Sequence, residues 1–351
     1  MNVKALICAL LLPLPALGQG FAGLGGTAEG YALPDPAARL EFPRDHGAHP
    51  GFRIEWWYVT ANLEGEDGKE YGIQWTLFRS ALAPGDPGTG WQNRTAWMGH
   101  AAVTSADTHK SAERLARGGI GQAGVTLAPF RAEIDDWHLV STADPGAAPL
   151  SAARLGASGT GFAYDLDLVA TGPLVLQGAR GYSVKSRDGQ ASHYYSQPFY
   201  RAEGRLIFPD RTVRVTGRAW LDREWSSQPL AADQTGWDWL SLHLDDGAKL
   251  MVFRLRGAGD DFLTGTWIAS DGTPAPLPPG AVEMIPKAET QLDGRSIPTL
   301  WQIRLPARGL DITVTALQPG AWNATRVPYW EGPVTARGSH PGEGYLEMTG
   351  Y

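Results

Sequence analysis

The residues best suited to chemistry lie in one short segment, AWLDREWSSQ (residues 219–228). Successive side chains of a strand point to opposite faces, so Asp222 and Glu224 share one face and Arg223 lies on the other. Burial among rings raises the pKa of a carboxyl and makes it a proton donor near neutral pH. Nearby rings such as Trp225 stabilise a developing positive charge. The segment predicts a general acid, Asp222 or Glu224. The alternative is a structural ion pair, with Arg223 as the charge partner, or a hydrogen-bond cluster at the end of a strand.

Asp238 is a second candidate acid. It lies between Trp237 and Trp239 in the segment GWDWLSLHL, which is predicted to be a strand. A strand of this aromatic character usually excludes charge, so the carboxylate needs a partner. That partner is either Arg223 or a substrate. The alternative is an aspartate that faces solvent.

The other reactive residue types form no motif. His46 and His49 flank Gly47-Ala48, which is not a metal-binding spacing, and no H-E-x-x-H, cysteine cluster or EF-hand loop occurs. A G-x-S-x-G elbow is missing, which argues against an α/β-type serine hydrolase. Glycine-rich phosphate loops are also missing. The sequence therefore predicts neither a metal nor a cofactor.

The chain is predicted to be all-β. Its 44 glycines and 26 prolines are dispersed between short apolar runs, which is typical of many strands joined by turns. Such a pattern favours sandwiches or barrels. Helical periodicity is weak, and only Ser111–Arg117 is predicted as a short helix.

A weak internal repeat relates two parts of the chain. Residues 56–63 (WWYVTANL) align with residues 237–244 (WDWLSLHL) at a separation of about 180 residues. One face of these strands carries rings and then polar groups: Trp56, Tyr58, Thr60 and Asn62, matched by Trp237, Trp239, Ser241 and His243. Rings with polar handles are typical of a ligand cavity, whereas the opposite face is mostly aliphatic. The repeat suggests two similar β domains; the alternative is chance similarity between two aromatic hairpins. Which face lines a barrel stays open.

The N-terminus has the pattern of a secretory signal peptide. Lys4 precedes an apolar run, and small residues follow at 16–18. We predict a signal peptide over residues 1–18 and an extended leader over residues 19–40. A membrane anchor is the alternative, but the apolar run is shorter than the ~20 residues that cross a bilayer. The sequence thus predicts a secreted or periplasmic protein that does not span the membrane after cleavage.

Composition restricts the partners. Loss of Lys4 with the signal peptide changes the formal net charge from −7 to −8. No run of lysine or arginine occurs, which argues against nucleic-acid binding. The single cysteine, Cys8, lies in the predicted signal peptide, so the mature chain has no disulfide or thiol chemistry.

Seven motifs in order resemble the AttH/carotenoid 1,2-hydratase (CrtC-like) family, whose exported bacterial members are often called predicted secreted hydrolases. The motifs are FRIEWWYVTANL, GIQWTLFRS, HYYSQPFYRAEGRL, AWLDREWSSQPL, GWDWLSLHLDDGAKLMVFRLR, YWEGPVTARG and GYLEMTGY. The resemblance covers nearly all of the chain from about residue 40 onwards. It implies two lipocalin-like antiparallel β-barrel domains in tandem, which we place at residues 41–205 and 206–351.

The resemblance also implies site residues. Similar proteins include hydratases that add water across a terminal carotenoid double bond, and fungal lipocalin-like cyclases that fold polyenes. The hydratase branch implies an acid/base pair near a D-x-x-W segment, here Asp222 to Trp225, and a downstream acid, here Asp238. It implies a histidine where this chain has Arg223, and an arginine cannot deprotonate to act as a base.

Three functions fit these residues. The first is an exported lipocalin-like enzyme that acts on a bulky apolar or amphipathic molecule. Protonation by one of the three acids would start a hydration or hydrolysis, with Trp225, Trp237 and Trp239 lining the pocket. The second is a non-catalytic periplasmic carrier of lipids or isoprenoids, or an accessory protein of a membrane transporter. The third is a carbohydrate-active protein. An acid buried inside a cavity would favour the enzyme, and acids tied to Arg223 outside it would favour the carrier.

Overall fold

The computed structural model describes residues 26 and 28–351, and the regular structure of these residues is strands with a few short 3-10 turns. The predicted signal peptide, residues 1–18, lies outside the described residues, as does most of residues 19–27. Residues 28–40 form no strand. Two antiparallel sheets, each with a barrel or half-barrel shape, contain the strands. The predicted all-β fold with two lipocalin-like barrels in tandem is confirmed.

The first sheet contains thirteen strands. Their bounds are β1 Ile54–Gly65, β2 Glu70–Ala81, β3 Thr95–Ser105, β4 His109–Arg117, β5 Ala123–Leu127, β6 Phe130–Ile134, β7 Trp137–Ser141, β8 Ala152–Gly159, β9 Phe162–Ala170, β10 Val175–Leu176, β11 Tyr182–Val184, β12 Ala191–Ile207 and β13 Thr212–Ser226. The first strand, β1, lies between β2 and the last strand, β13. β4 packs against β6 and β8, which curls the sheet around its core.

The second sheet contains ten strands. Their bounds are β14 Gln234–Leu244, β15 Lys249–Gly257, β16 Phe262–Ile268, β17 Pro274–Leu277, β18 Glu283–Leu292, β19 Arg295–Leu305, β20 Leu310–Ala316, β21 Trp322–Asn323, β22 Tyr329–Gly338 and β23 Gly342–Thr349. Its first strand, β14, again lies between the second strand, β15, and the last, β23. The aligned segments of the internal repeat therefore occupy equivalent positions in the two sheets.

The division between the sheets lies later than the predicted domain boundary. A boundary at residues 205/206 falls inside β12, and both β12 and β13 belong to the first sheet. The first sheet ends at Ser226, and the second begins at Gln234. The reason is that β13 must pair with β1, from Val215 to Ser226, to complete the first barrel.

The helix predicted at Ser111–Arg117 is wrong. These residues belong to β4, which pairs with β3 from Thr104 to Ala96. The segment contains good helix formers, but pairing with a neighbouring strand outweighs local propensity.

The two faces of the repeated strands are buried against different partners. Trp57 and Val59 of β1 pack in the core of the first barrel, and Leu240 of β14 packs in the core of the second. Tyr58 and Trp239 belong to a third cluster, which lies between the sheets. The aliphatic face therefore lines each barrel, and the aromatic face forms the surface where the two barrels meet.

Three buried charges join the central strands of the first barrel. Glu55 on β1 accepts hydrogen bonds from Arg79 on β2 and Arg223 on β13, and none of the three exposes more than 2% of its surface. Burial alone would raise the pKa of Glu55, but Arg223 and its other partners bring it well below the ordinary value. Arg79 Nη2 also donates to the carbonyl of His49 at 2.9 Å. The cluster thereby attaches the segment before β1 to the end of the barrel.

Glu55→Gln should lower the free energy of unfolding by about 3–5 kcal/mol, because two buried guanidinium groups lose their counter-ion. Glu133→Gln is the matched control, since it breaks the exposed pair with Arg131 and exposed pairs contribute little. Guanidinium chloride unfolding followed by tryptophan fluorescence measures both variants. An equal loss of unfolding free energy in Glu55→Gln and Glu133→Gln would contradict the structural role of the buried cluster.

Candidate functional site

A cavity of about 110 Å³ lies where the aromatic faces of the two repeats meet. β1 and β13 contribute one wall, and β14 and β15 contribute the other. On the first wall, strand register places Tyr58 opposite Asp222 and Trp56 opposite Glu224. Six of the residues that the sequence selected line this cavity: Trp56, Tyr58, Asp222, Glu224, Trp237 and Trp239. The structure brings them together, and their roles stay predictions.

Asp222 is a deeply buried acid of the cavity wall, with 2% of its surface exposed. Burial raises the pKa of its carboxyl to about 7, against the opposing effect of three hydrogen-bond donors. These donors are Ser196 Oγ at 2.5 Å, the Tyr194 hydroxyl at 2.7 Å and the Trp220 indole N–H at 2.7 Å. None of the donors is a cation, so desolvation prevails. At neutral pH the carboxyl is present in both its protonated and its ionised form.

Tyr194 connects this acid to the second sheet. Its hydroxyl donates to Asp222 and accepts a hydrogen bond from Trp239 Nε1 at 3.2 Å. Tyr194 itself lines the cavity. A proton on Asp222 can therefore reach the cavity either directly or through this hydroxyl.

Glu224 is held in an ion pair. Its Oε1 lies 2.9 Å from Lys185 Nζ, and both side chains are buried. The ammonium group also lies 4.8 Å from the centroid of the Tyr194 ring and 4.1 Å from that of Phe253. The partner of Glu224 is therefore a buried cation, whereas Asp222 has only neutral donors.

Glu347 on β23 is a third carboxyl of the cavity. It accepts a hydrogen bond from Trp237 Nε1 at 2.9 Å. Burial raises its pKa to about 7, and the charge of nearby carboxylates, Asp222 first, adds to the effect. Behind it, Glu331 on β22 accepts a hydrogen bond from the Tyr58 hydroxyl at 2.5 Å. Burial and then the charge of Glu347 raise the pKa of Glu331 well above its ordinary value.

Arg223 and Trp225 do not take part in the cavity. Arg223 is paired with Glu55 and not with Asp222 or Glu224, and its guanidinium lies 3.8 Å from the centroid of the Trp57 ring. Trp225 packs in the core of the first barrel. Both residues lie on the barrel face of β13, because strand alternation separates them from the two acids. The predictions of Arg223 as partner of the acids and of Trp225 as pocket lining are wrong.

Asp238 also lies away from the cavity. Its carboxylate is 3.3 Å from Arg256 Nε and 3.6 Å from Arg254 Nη1, and it accepts a hydrogen bond from the Tyr351 hydroxyl at 2.9 Å. Burial raises its pKa to about 6, even with both arginines nearby. Since alternation turns it away from Trp237 and Trp239, it cannot act on a molecule held in the cavity. The predicted pairing with Arg223 is likewise wrong.

His243 lies on the shared face but does not border the cavity. Its ring is buried, with its centroid 5.8 Å from that of Trp220. Burial lowers its pKa well below the ordinary value. Its predicted ligand contact is therefore not supported, since the cavity ends at Trp239 on this strand.

Five polar residues of the cavity were not predicted from the sequence: Thr76, Lys185, Tyr194, Tyr329 and Glu347. Tyr194 and Glu347 lie in the motifs HYYSQ and GYLEM, whose alternation already indicated strands. The available signal was a polar group at every second position of an otherwise apolar strand. Lys185 follows the short β11, where no periodic pattern exists to place it.

In the part of the chain that the structure describes, no group of three or more His, Cys, Asp or Glu residues could hold a metal ion. His46 and His49 instead contact Tyr195 and Glu55, at 2.6 Å and 3.2 Å. Within the same residues, no helix is long and apolar enough to cross a membrane.

Two lipocalin-like β-barrels that share a buried aromatic cavity with three carboxyl groups define the class of this protein. The chain belongs to the AttH-like family, whose model matches residues 33–351. A solved structure assigned to AttH, from Nitrosomonas europaea, is 33% identical with a TM-score of 0.79, and the match covers 91% of this chain and 99% of that chain. Kievitone hydratase from Nectria haematococca shares the fold at 15% identity and a TM-score of 0.63, over 91% of this chain and 98% of its own. A comparison with curated proteins found no match.

Asp222→Asn should become more stable relative to wild type as the pH rises from 5 to 8. In the folded protein Asp222 keeps its proton up to a pKa of about 7, whereas in the unfolded chain it ionises near the ordinary 3.8. The free energy of unfolding of wild type therefore falls as the pH rises over this interval. Asparagine cannot ionise and escapes this loss, which amounts to roughly 2–3 kcal/mol. Urea unfolding of both proteins at both pH values measures the difference.

The control for this experiment is Asp45→Asn. The pKa of Asp45 is lowered by its hydrogen bonds with His49 and Arg44, which outweigh the effect of burial. It is ionised throughout the interval, so its variant should show no such gain. A difference between wild type and Asp222→Asn that does not change with pH would contradict the raised pKa.

Proposed function

We propose that this protein is an exported enzyme that adds water to a carbon–carbon double bond of a bulky apolar or amphipathic small molecule, or removes water in the reverse direction. One observation carries the proposal: Asp222, with a pKa of about 7, is buried in the wall of an aromatic cavity. A protonated carboxyl is the acid that this reaction needs at neutral pH.

The first step is protonation of the double bond. Asp222 gives its proton to one alkene carbon, directly or through the Tyr194 hydroxyl, and the π electrons form the new C–H bond. The other carbon becomes a carbocation. Trp56, Trp237 and Trp239 line the cavity, and the faces of aromatic rings attract a cation.

Water then attacks the carbocation. Its oxygen forms the C–O bond, and one of its protons leaves to a carboxylate. Glu347 is suited to accept this proton, because its pKa of about 7 leaves it partly ionised at neutral pH. Exchange of one proton from Glu347 to solvent and from solvent to Asp222 restores the starting state. The Lys185–Glu224 pair lies in the same cavity, where it supplies fixed polar groups for the attacking water.

Three observations support this reading. The fold relative from Nectria haematococca is named a hydratase, and the seven motifs of this chain resemble a family that includes hydratases. The N-terminal pattern of residues 1–18 supports export. Asp222 and Glu224 lie in the cavity and are not tied to Arg223, which favours the enzyme over the carrier.

A carrier is the second candidate. The observation that favours it is the hydrogen bonding of Asp222, which already accepts three bonds from Tyr194, Ser196 and Trp220, as a structural carboxyl does. The carbohydrate hypothesis has less support, because Tyr58 and Trp239 are buried in the cavity wall and do not form an open groove.

Asp222→Asn should reduce hydration at least a hundredfold, because the proton donor is lost. Kievitone and a set of isoprenoid alkenes are incubated with the purified protein in ¹⁸O-labelled water, and mass spectrometry detects the added oxygen. Asp238→Asn is the matched control, since this acid is also buried with a raised pKa but lies outside the cavity. It should keep activity.

Activity that survives Asp222→Asn and is abolished by Asp238→Asn would contradict the assignment. Ligands co-purified from the periplasm provide a second measurement. If wild type and both variants hold the same ligand and no product ever forms from it, the carrier replaces the enzyme.

The rate should depend on pH with a maximum near 7. Asp222 must be protonated and Glu347 ionised, so kcat/KM should fall above pH 7 through the first group and below pH 7 through the second. Glu347→Gln should slow the reaction and remove the fall on the acid side. A profile that keeps its acid limb in this variant would assign the base elsewhere.

A further inference from the structure

A second apolar cavity, of about 290 Å³, lies beside the first. It is bordered by β11, β15 and β16, and its wall includes Met251 and Phe262. Phe253 lines both cavities. The two spaces are therefore neighbours that share one aromatic side chain as a wall.

The same two chain segments border both spaces. Tyr182 to Val184 line the second cavity, and the next residue, Lys185, lines the first. On β15, Met251 and Phe253 face the second cavity, while Phe253 and Leu255 face the first. Met251, Phe253 and Leu255 of β15 thus form a continuous apolar surface along both cavities.

Thr266 marks the second cavity as a site for a polar atom. Its side chain is fully buried and borders the cavity, yet Oγ1 has no hydrogen-bond partner among the described residues. Buried hydroxyl groups are almost always paired, and leaving one unpaired is unfavourable. The other threonine of this wall, Thr264, donates its hydroxyl to the carbonyl of Leu277 at 2.7 Å. A ligand that carries a hydrogen-bonding group would satisfy this hydroxyl.

The size of the first cavity also indicates that a bound molecule extends into the second. At about 110 Å³ it is smaller than the cavity of about 150 Å³ that holds a single benzene ring in another protein. A bulky molecule therefore needs further space. The second cavity supplies more than twice the volume of the first.

We propose that the two cavities form one binding site for an elongated amphipathic molecule. Its double bond lies beside Asp222, its apolar stem passes Phe253, and a hydroxyl or carbonyl at the far end pairs with Thr266. The position of the double bond rests on the proposed function, whereas the binding of the stem and the far end does not depend on catalysis.

Alcohols with a terminal double bond and eight, twelve or sixteen carbons test the length of the site. Quenching of tryptophan fluorescence gives their dissociation constants. In wild type, affinity should increase at least tenfold from the shortest to the longest, because each added methylene is buried. Ala179→Trp places a ring at the rim of the second cavity and should remove this gain, while the shortest alcohol binds as before.

Thr266→Val tests the polar end. It should weaken binding of the sixteen-carbon alcohol about fivefold, because one hydrogen bond is lost. The hydrocarbon of the same length, without the hydroxyl, should bind Thr266→Val and wild type equally. Thr313→Val, at an exposed position of β20, is the matched control and should change neither affinity.

Three results would overturn the inference: the same length dependence in Ala179→Trp as in wild type, equal loss of alcohol and hydrocarbon binding in Thr266→Val, or no binding of any of the three alcohols. Hydration of the same alcohols is measured separately. Length-dependent binding without hydration would support the extended site and count against the enzyme, and hydration without length dependence would do the reverse.

Discussion

The structure depends on the burial of both faces of its central strands. On β13, Leu221, Arg223 and Trp225 enter the core of the first barrel, while Asp222 and Glu224 face the cavity. A slip of one residue would turn Arg223 into the cavity and the acids into the core. The ion cluster with Glu55 opposes such a slip, since its two arginines come from the strands on either side of β1. A structural interaction in the barrel thereby holds the acids at the cavity.

Desolvation raises the pKa of the buried acids, and only very close cationic partners outweigh it. Glu55 has two guanidinium groups, and its pKa is low. Asp222 has three neutral donors and Glu347 has one, and both have a pKa of about 7. Asp222 and Glu347 are thus suited to exchange protons near neutral pH, whereas Glu55 in the first barrel stays ionised. Asp238 shows that a raised pKa alone does not define a site, because this residue lies away from the cavity.

Much of the cavity could be predicted from the alternation of side chains between the two faces of a strand, because this alternation depends on one strand alone. It correctly separated Asp222 and Glu224 from Arg223, and it grouped Trp56 with Tyr58 and Trp237 with Trp239. Partners across strands could not be predicted, since they depend on which strands pair. Glu55 meets Arg223 only because β1 pairs with β13, and Glu347 reaches the cavity only because β23 pairs with β14. β4 was mistaken for a helix because nearly all of its residues are partly exposed, without the alternation of a half-buried strand.

The ion pair between Glu55 and Arg223 joins residues that are 168 positions apart in the chain. During synthesis the β1–β2 hairpin with Glu55 is complete long before β13 exists. Until β13 is made, Glu55 lacks the guanidinium group of Arg223. The first barrel therefore cannot fully exclude water from Glu55 early, and its closure is a late, non-local step in folding. The cavity requires still more of the chain, since Glu347 lies on β23. A nascent protein that stalls before this strand can therefore hold a nearly complete first barrel and yet have no site.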